Sequence, residues 1–309
     1  MAAETKTIDL FGFGIAAVDD LIEVASFPQS GSKVEVLAQR RQGGGLCATA
    51  LVAAARLGLR CLYGGLLGHN ELSDFTRETL RREGIEIVED VRYPDAEPFH
   101  SRIVVDRSSG ERTIFYSRQR AVAPQPQDLR ADLIGASRAL LVDHFGAAAV
   151  IHACRIAKEA CVPIIADIEN ADDPAVHNLI LEIDHLISPL RFGKAITGHN
   201  DPADVVMALA RKSRACTVVT DGVRGCWYAE GGANRVCHEP AFQVDVVDTT
   251  GCGDVFHGAY ATGLLCGMTI PEIVRFAAAT AAIKATRPGG QLGIPDRKTV
   301  EGFLQERES

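Results

Sequence analysis

The sequence predicts an α/β protein, a doubly wound and mainly parallel sheet accompanied by a second, smaller sheet. Three observations lead there. Strand-length apolar runs alternate with helix-length segments along most of the 309 residues, the βαβα order that builds a parallel sheet. Residues 32–41, 99–106 and 112–117 alternate apolar and polar and stand outside that order, as a small, mostly polar sheet would. Residues 244–260 change from an alternating apolar and acidic run, through a glycine turn, into an almost wholly apolar stretch: strand, tight turn, helix. We therefore divide the chain into an α/β unit of residues 1–14, 42–93 and 121–309, and a β unit of residues 15–41 and 94–120.

Residues 8–14 read as a buried first strand. Gly12-Phe13-Gly14-Ile15-Ala16-Ala17 fits the dinucleotide fingerprint G-x-G-x-x-A, which keeps a nicotinamide-dependent oxidoreductase open as a rival. Phe27-Pro28 breaks the pattern before a full crossover helix could form. Residues 32–41 alternate like an exposed strand. Gly43-Gly44-Gly45 then precede an alanine-rich helix over 46–57, closed by Gly58, and make a close-approach surface suited to a polyol.

Next come a strand over 60–67, the loop Gly68-His69-Asn70 and a polar-faced helix over 71–83 closed by Gly84. Phe99–Asp106 and Arg112–Ser117 flank Arg107-Ser108-Ser109-Gly110-Glu111, a hairpin signal. After Pro124-Gln125-Pro126 the alternation resumes with a strand over 139–142, a helix over 147–160 and a strand over 163–166. Asp167 and Glu169 stand at the carboxyl end of that strand, where doubly wound sheets bind ligands. They are hard oxygen ligands suited to Mg²⁺, directly or through water; the alternative is a pair of capping or loop acids. A helix over 204–212, a strand over 217–220 and a helix over 271–286 complete the series.

The chemistry concentrates at Asp248-Thr249-Thr250-Gly251-Cys252-Gly253-Asp254. Glycines let the main chain bend so that several N–H groups point into one space, and a helix N-terminus there favours an anion such as phosphate. A carboxylate beside such a nest weakens simple anion binding. Asp254 makes sense if it takes the proton from a hydroxyl that attacks the phosphate.

A net charge of -8 and a pI near 5.6 argue against a nucleic-acid footprint. Nine scattered cysteines without a C-x-x-C pair read as reduced core residues of a cytoplasmic protein, with Cys252 alone in the proposed site. Residues 1–6 precede only a short apolar run and no stretch is long enough to cross a bilayer, so neither signal peptide, membrane anchor nor membrane partner is expected.

The turn resembles the D-T-x-G-A-G-D signature of the PfkB or ribokinase-like carbohydrate kinases, with Cys252 in place of the usual alanine. Gly44, Gly45, Ala50, Arg56, Leu57 and Gly58 resemble the family's N-terminal G-G-N-x-x-N-x-A-x-A-x-x-R-L-G, with Leu46 and Thr49 replacing its two asparagines. The resemblance implies a ribokinase-like fold whose small sheet forms a β lid over the sugar and pairs with a second subunit's lid in a homodimer. It makes Asp254 the base and the amides of Gly251, Cys252 and Gly253 the anion hole. Substrate contacts would fall to Asp19, Gly44, Gly45, Thr49 and Arg102; a surface turn for Asp19 and a solvated surface for Arg102 are the alternatives.

Thr220-Asp221-Gly222-Val223-Arg224-Gly225 resembles the T-x-G-x-x-G nucleotide loop, so Thr220, Gly222, Arg224 and Gly225, with Thr250, Gly289 and Gly290, would bind ATP; a plain β-turn is the alternative. The family also places a monovalent cation such as K⁺ against the aspartate matching Asp248. Its N-x-x-E appears here as Pro189 and Phe192, which makes Asp167 and Glu169 the more interesting for Mg²⁺. The sulfofructose-kinase-like branch is nearest in feel, through Gly43-Gly44-Gly45, the phosphate turn and Thr286-Arg287-Pro288-Gly289-Gly290, although Asp143-His144-Phe145-Gly146 offers no arginine for a sulfonate. The expected function is ATP-dependent phosphorylation of a sugar or polyol hydroxymethyl group. A non-catalytic sugar or nucleotide sensor of the same fold is the other alternative.

Overall fold

A computed structural model describes residues 6–307 except Asp90, Val91, Gly110 and Asn234. Residues 1–5 and the tip of the expected hairpin at Gly110 therefore lie outside the described residues. In chain order the elements are β1 (Ile8–Phe13), β2 (Ala17–Val24), β3 (Val36–Gly44), α1 (Leu46–Arg56), β4 (Cys61–Tyr63), α2 (Glu71–Arg82), β5 (Glu86–Ile87), β6 (Phe99–Asp106) and β7 (Arg112–Ser117). There follow α3 (Ala131–Gly135), β8 (Ser137–Asp143), α4 (Ala147–Glu159), β9 (Ile164–Asp167), α5 (Val176–Leu179), β10 (His185–Pro189), α6 (Leu190–Thr197), α7 (Pro202–Leu209) and β11 (Cys216–Thr220). The chain ends with β12 (Cys226–Glu230), β13 (Cys237–Glu239), α8 (Cys252–Leu265), α9 (Ile270–Ala285) and α10 (Arg297–Gln305).

Nine strands form the large sheet in the order β13-β12-β11-β10-β9-β8-β1-β4-β5. It is parallel from β11 to β5, and β12 and β13 add an antiparallel edge. The central strands are buried on both faces, as a sheet covered by helices requires. One face packs on α1, α8 and α9, the other on α3 to α7. The crossing of α1 and α8 is very close, since a Cβ on Gly258 would lie 2.1 Å from the Ala50 carbonyl oxygen. Any side chain at Gly258 would force the helices apart.

The small sheet has the order β3-β2-β6-β7 and leaves the large one at the carboxyl end of β1. Here the structure overturns the dinucleotide reading: the segment after Gly14 is strand β2, paired with β3 and β6, so no helix N-terminus stands behind the G-x-G to receive a pyrophosphate. Gly12 and Gly14 are required by packing, their missing side chains leaving room for Leu51, Cys47 and Asp143.

The run at 244–248, expected as a strand before the phosphate turn, forms none, held instead by main-chain bonds of Val247 and Asp248 to Ala285, and two other strands have shifted bounds. β3 starts four residues late and runs on through Gly44, because Gly43 and Gly44 pair with Val18 and Ala17. β4 stops at Tyr63, where a Cβ on Gly64 or Gly65 would strike the Phe11 ring or the Tyr63 hydroxyl at 2.4 or 2.0 Å. Among the described residues no helix is long and apolar enough to cross a membrane. All nine cysteines are free thiols.

Candidate active site

The phosphate turn is built by the N-terminus of α8. Gly251 caps it in the left-handed region, φ 74°, with its α-carbon facing the Gly290 carbonyl oxygen, which a Cβ would approach to 3.0 Å. A Cβ on Gly253 would meet nothing within 4 Å. The Cys252 amide donates to the Thr249 carbonyl at 3.2 Å and that of Val255 to Gly251 at 2.9 Å. Among the described residues the amides of Gly251, Gly253 and Asp254 have no protein acceptor, so two glycine amides and the helix dipole stand open to an anion.

Asp254 is half-buried in the first turn of α8, and among the described residues nothing donates to its carboxylate. Burial pushes its pKa well above the ordinary value, helped by the negative charges of Glu169, Asp19 and Asp143 and opposed by Lys284. Asp167, at the end of β9, is pushed up by burial and by the negative charges of Asp254, Glu169 and Asp143, and held back by Arg191. Its Oδ2 is buried without a hydrogen bond, although His257 Nδ1 lies 3.2 Å away, because that nitrogen bonds the Gly253 carbonyl at 2.8 Å. Glu169 is paired with Arg191 at 3.0 Å. Asp143 is wholly buried at the end of β8, its pKa raised to about 6 by burial although the Ile15 and Phe145 amides donate to it at 2.5 and 3.0 Å.

Asp248 is the anchor of the turn. Oδ1 accepts from the Thr250 amide and hydroxyl at 2.8 and 2.7 Å and from Arg112 Nη1 at 2.7 Å; Oδ2 accepts from the Gly289 amide at 2.8 Å. Burial raises its pKa, but these donors win and hold it well below the usual carboxylate range. Arg112 comes from β7, so the small sheet reaches across to the turn and also touches the hydroxyls of Thr249 and Thr250. Between them lies a cleft of about 910 Å³ lined by Gln42, Ile103, Arg112 and residues 246–250.

On the other side, Asp19 of β2 is buried rather than in a surface turn, and its Oδ2 lies where a Cβ of Gly44 would come within 2.5 Å. Its partner on β6 is Ser101. Arg102 is exposed and opposite Asp20, and strand alternation turns it away from the face of Asp19. Gly45 starts α1 at φ 92°, and a Cβ there would meet the Ala16 backbone at 2.6 Å. Thr49 is buried, its hydroxyl accepting from Gln291 Nε2 at 3.1 Å. Gln291 thereby ties the α1 side to the loop that carries Gly289 and Gly290.

The pfkB family carbohydrate kinase profile matches residues 10–297. This chain belongs to the pfkB family of carbohydrate kinases. It is 26% identical to a ribokinase of Arabidopsis thaliana, over 98% of this chain and 83% of that protein, and 26% identical to the ribokinase of Bacillus subtilis, over 94% and 97%. In fold it matches the Arabidopsis thaliana ribokinase solved with ribose and ATP, at TM-score 0.81 and 22% identity over 96% of this chain and 99% of that one.

As a pfkB carbohydrate kinase it is a phosphotransferase with a hydroxyl acceptor. Its departures from the family pattern have structural roles: Pro189 precedes α6 as its cap and Phe192 is buried in the core. In the Thr220 to Gly225 loop, Gly222 and Gly225 take positive φ of 52° and 84°. Arg224 is paired with Asp221 and stacked on Trp227. Sequence reading passed over Arg112, Gln42, Ser101, Lys284 and Gln291. Only Lys284 carried a local signal, a lone charge on the helix face of Ile273, Ala277 and Thr280, all of them buried.

Proposed function

We propose that this kinase transfers the γ-phosphoryl group of ATP to a hydroxymethyl group of a sugar or sugar derivative. The observation that carries the reading is the open N-terminus of α8 with Asp254 in its first turn, a carboxylate to which nothing among the described residues donates. Asp254 accepts the acceptor's hydroxyl proton as the oxygen–phosphorus bond forms and the bond to ADP breaks. The Gly251 and Gly253 amides hold the phosphoryl oxygens, while Cys252 serves the turn through its bond to Thr249. Asp19, held by Ser101 beside Gly44 and Gly45, contacts sugar hydroxyls; Thr49 acts through Gln291. The loops at Thr220, Gly222, Arg224 and Gly225 and at Gly289 and Gly290, with Thr250, take ATP, Arg224 leaving Asp221 to do so.

Mg²⁺ fits at the end of β9, where Asp167 keeps a buried oxygen without a hydrogen bond and Glu169 stands nearby. Among the described residues no three His, Cys, Asp or Glu side chains enclose a metal ion, so Asp167 and Glu169 would hold a Mg²⁺ ligated chiefly by phosphate oxygens and water. It would neutralise charge on the migrating group. The exposed Ile114, Phe115 and Tyr116 of β7 support a homodimer through the lid. The segment Asp143-His144-Phe145-Gly146 holds no arginine for a sulfonate, which favours a plain sugar over a sulfosugar.

A screen for ADP release from Mg-ATP over plain, phosphorylated and sulfonated ketoses, aldoses and nucleosides tests the reading. General-base help is typically worth ~10²–10⁴-fold, so Asp254→Asn lowers kcat by at least ~10² with ATP affinity little changed. Near-normal turnover in that variant, or sugar binding by calorimetry without ADP from any acceptor, refutes it.

A further inference from the structure

The cation expected against Asp248 does not fit this site. Both carboxylate oxygens are engaged by the Thr250 amide and hydroxyl, the Gly289 amide and the Arg112 guanidinium. The main-chain oxygen is engaged as well: Lys284 Nζ donates to it at 2.8 Å. An alkali cation brought to these oxygens would displace good donors and face two fixed positive charges. Every oxygen of Asp248 already accepts a donor, two of them from cationic side chains.

Lys284 is unusual in its own right. It is fully buried on α9, in a helix whose neighbouring turns are alanine, threonine and isoleucine. Burying an ammonium costs several kcal/mol, roughly, unless partners return it. Burial lowers its pKa, and the Asp248 carbonyl, the negative charges of Asp248 and Asp254 and the C-terminal turn of α9, whose dipole favours a cation, offset part of that cost. The same turn of α9 accepts the amides of Val247 and Asp248 on the Ala285 carbonyl, at 2.8 and 3.0 Å. A positive charge is thus built into the floor of the phosphate turn, on the helix that anchors the segment leading into it.

We propose that the Lys284 ammonium takes the place of the monovalent cation, making this kinase independent of K⁺. An ammonium is close to K⁺ in size, carries the same charge and satisfies carbonyl oxygens with its three N–H donors. Being covalently attached, it neither dissociates nor competes with Na⁺. It holds the Asp248 carbonyl, and through it the course of the chain into Gly251 and Gly253, in every state of the enzyme. The inference rests on the proposed function only in placing the nucleotide phosphates at this turn.

The test uses the full chain in an alkali-metal-free buffer with Mg-ATP, adding either KCl or choline chloride at about 100 mM so that ionic strength is matched. Thermal unfolding with bound nucleotide is read first, since it needs no acceptor, and ADP release with an active sugar second. The unsubstituted protein should show the same Tm and the same turnover in both salts. Lys284→Met should lose nucleotide-induced stabilisation and turnover several-fold in choline and regain them in K⁺. A Tm or turnover of the unsubstituted protein that rises in K⁺ overturns the proposal, as does a Lys284→Met protein indifferent to the choice of salt. Should the methionine variant fail to fold, Lys284→Arg keeps the charge and should stay indifferent to K⁺; a gained K⁺ response there overturns it equally. A protein that binds nucleotide as described and phosphorylates no sugar would count against the proposed function and leave this inference standing on its thermal readout.

Discussion

Helices α1 and α8 pack against each other and both begin after glycine-rich turns, with Gly45 at φ 92° and Gly251 at φ 74° as their first capping residues. At α1 the positive end is closed from within. The Ala48 amide donates to the Ile15 carbonyl at 3.1 Å, the Cys47 amide faces the Asp143 carboxylate, and the Ala16 backbone fills the space beside Gly45. At α8 the corresponding amides of Gly253 and Asp254 have no acceptor among the described residues, and the space beside Gly253 is open. A glycine turn before a helix is therefore not by itself an anion site. It becomes one only when the protein leaves those donors unspent.

The sharpest way to break this comparison is to add a methyl group at each turn. Gly45→Ala should cost about 3 kcal/mol or more of stability, since a side chain there is strained and meets backbone at 2.6 Å. Denaturant unfolding would read it. Gly253→Ala should leave stability within about 0.5 kcal/mol but lower kcat/KM for ATP by about 10²-fold, because the methyl enters the space of the phosphate. If the two variants behaved alike, the distinction between a closed and an open turn would fail.

A pH profile sharpens the comparison from the side of charge. Asp254 must be ionised to act as a base, and burial with its acidic neighbours raises its pKa. The acid limb of kcat/KM, which reports the free enzyme, should therefore begin above the ordinary carboxylate range and fall about tenfold per pH unit below it. A limb at the usual carboxylate position would mean that Asp254 is not the titrating base.

The smallest effect concerns the lid. Arg112 joins β7 to Asp248 and the neighbouring threonines, at the open turn only. Its side chain is about a third exposed, so the pair is partly screened. Arg112→Ala should raise the sugar KM by about two- to fivefold with kcat nearly unchanged, and added salt should reduce the difference. Steady-state kinetics at two ionic strengths would show it.

Much of the fold was legible because its signals are local. The apolar runs of β1, β8 and β9, the alanine-rich α1 and the contiguous Asp248 to Asp254 motif each lie within one stretch of chain. β2 was harder to see, since its residues read as the broken start of a crossover helix until pairing with β3 and β6 made them a strand. Arg102 and Ser101 are neighbours in sequence, and only strand register decided which of them meets Asp19.

By itself the sequence determined the α/β class, the small sheet and the chemical character of the phosphate turn, because periodicity and turn chemistry are properties of adjacent residues. The tertiary structure alone decided which donors at that turn are free. Lys284 and Arg112 reach Asp248 across separations of 36 and 136 residues, and Gln291 reaches Thr49 across 242. A hydrogen-bonding group is available for chemistry only if no distant part of the chain has already satisfied it, and that is settled when the chain folds.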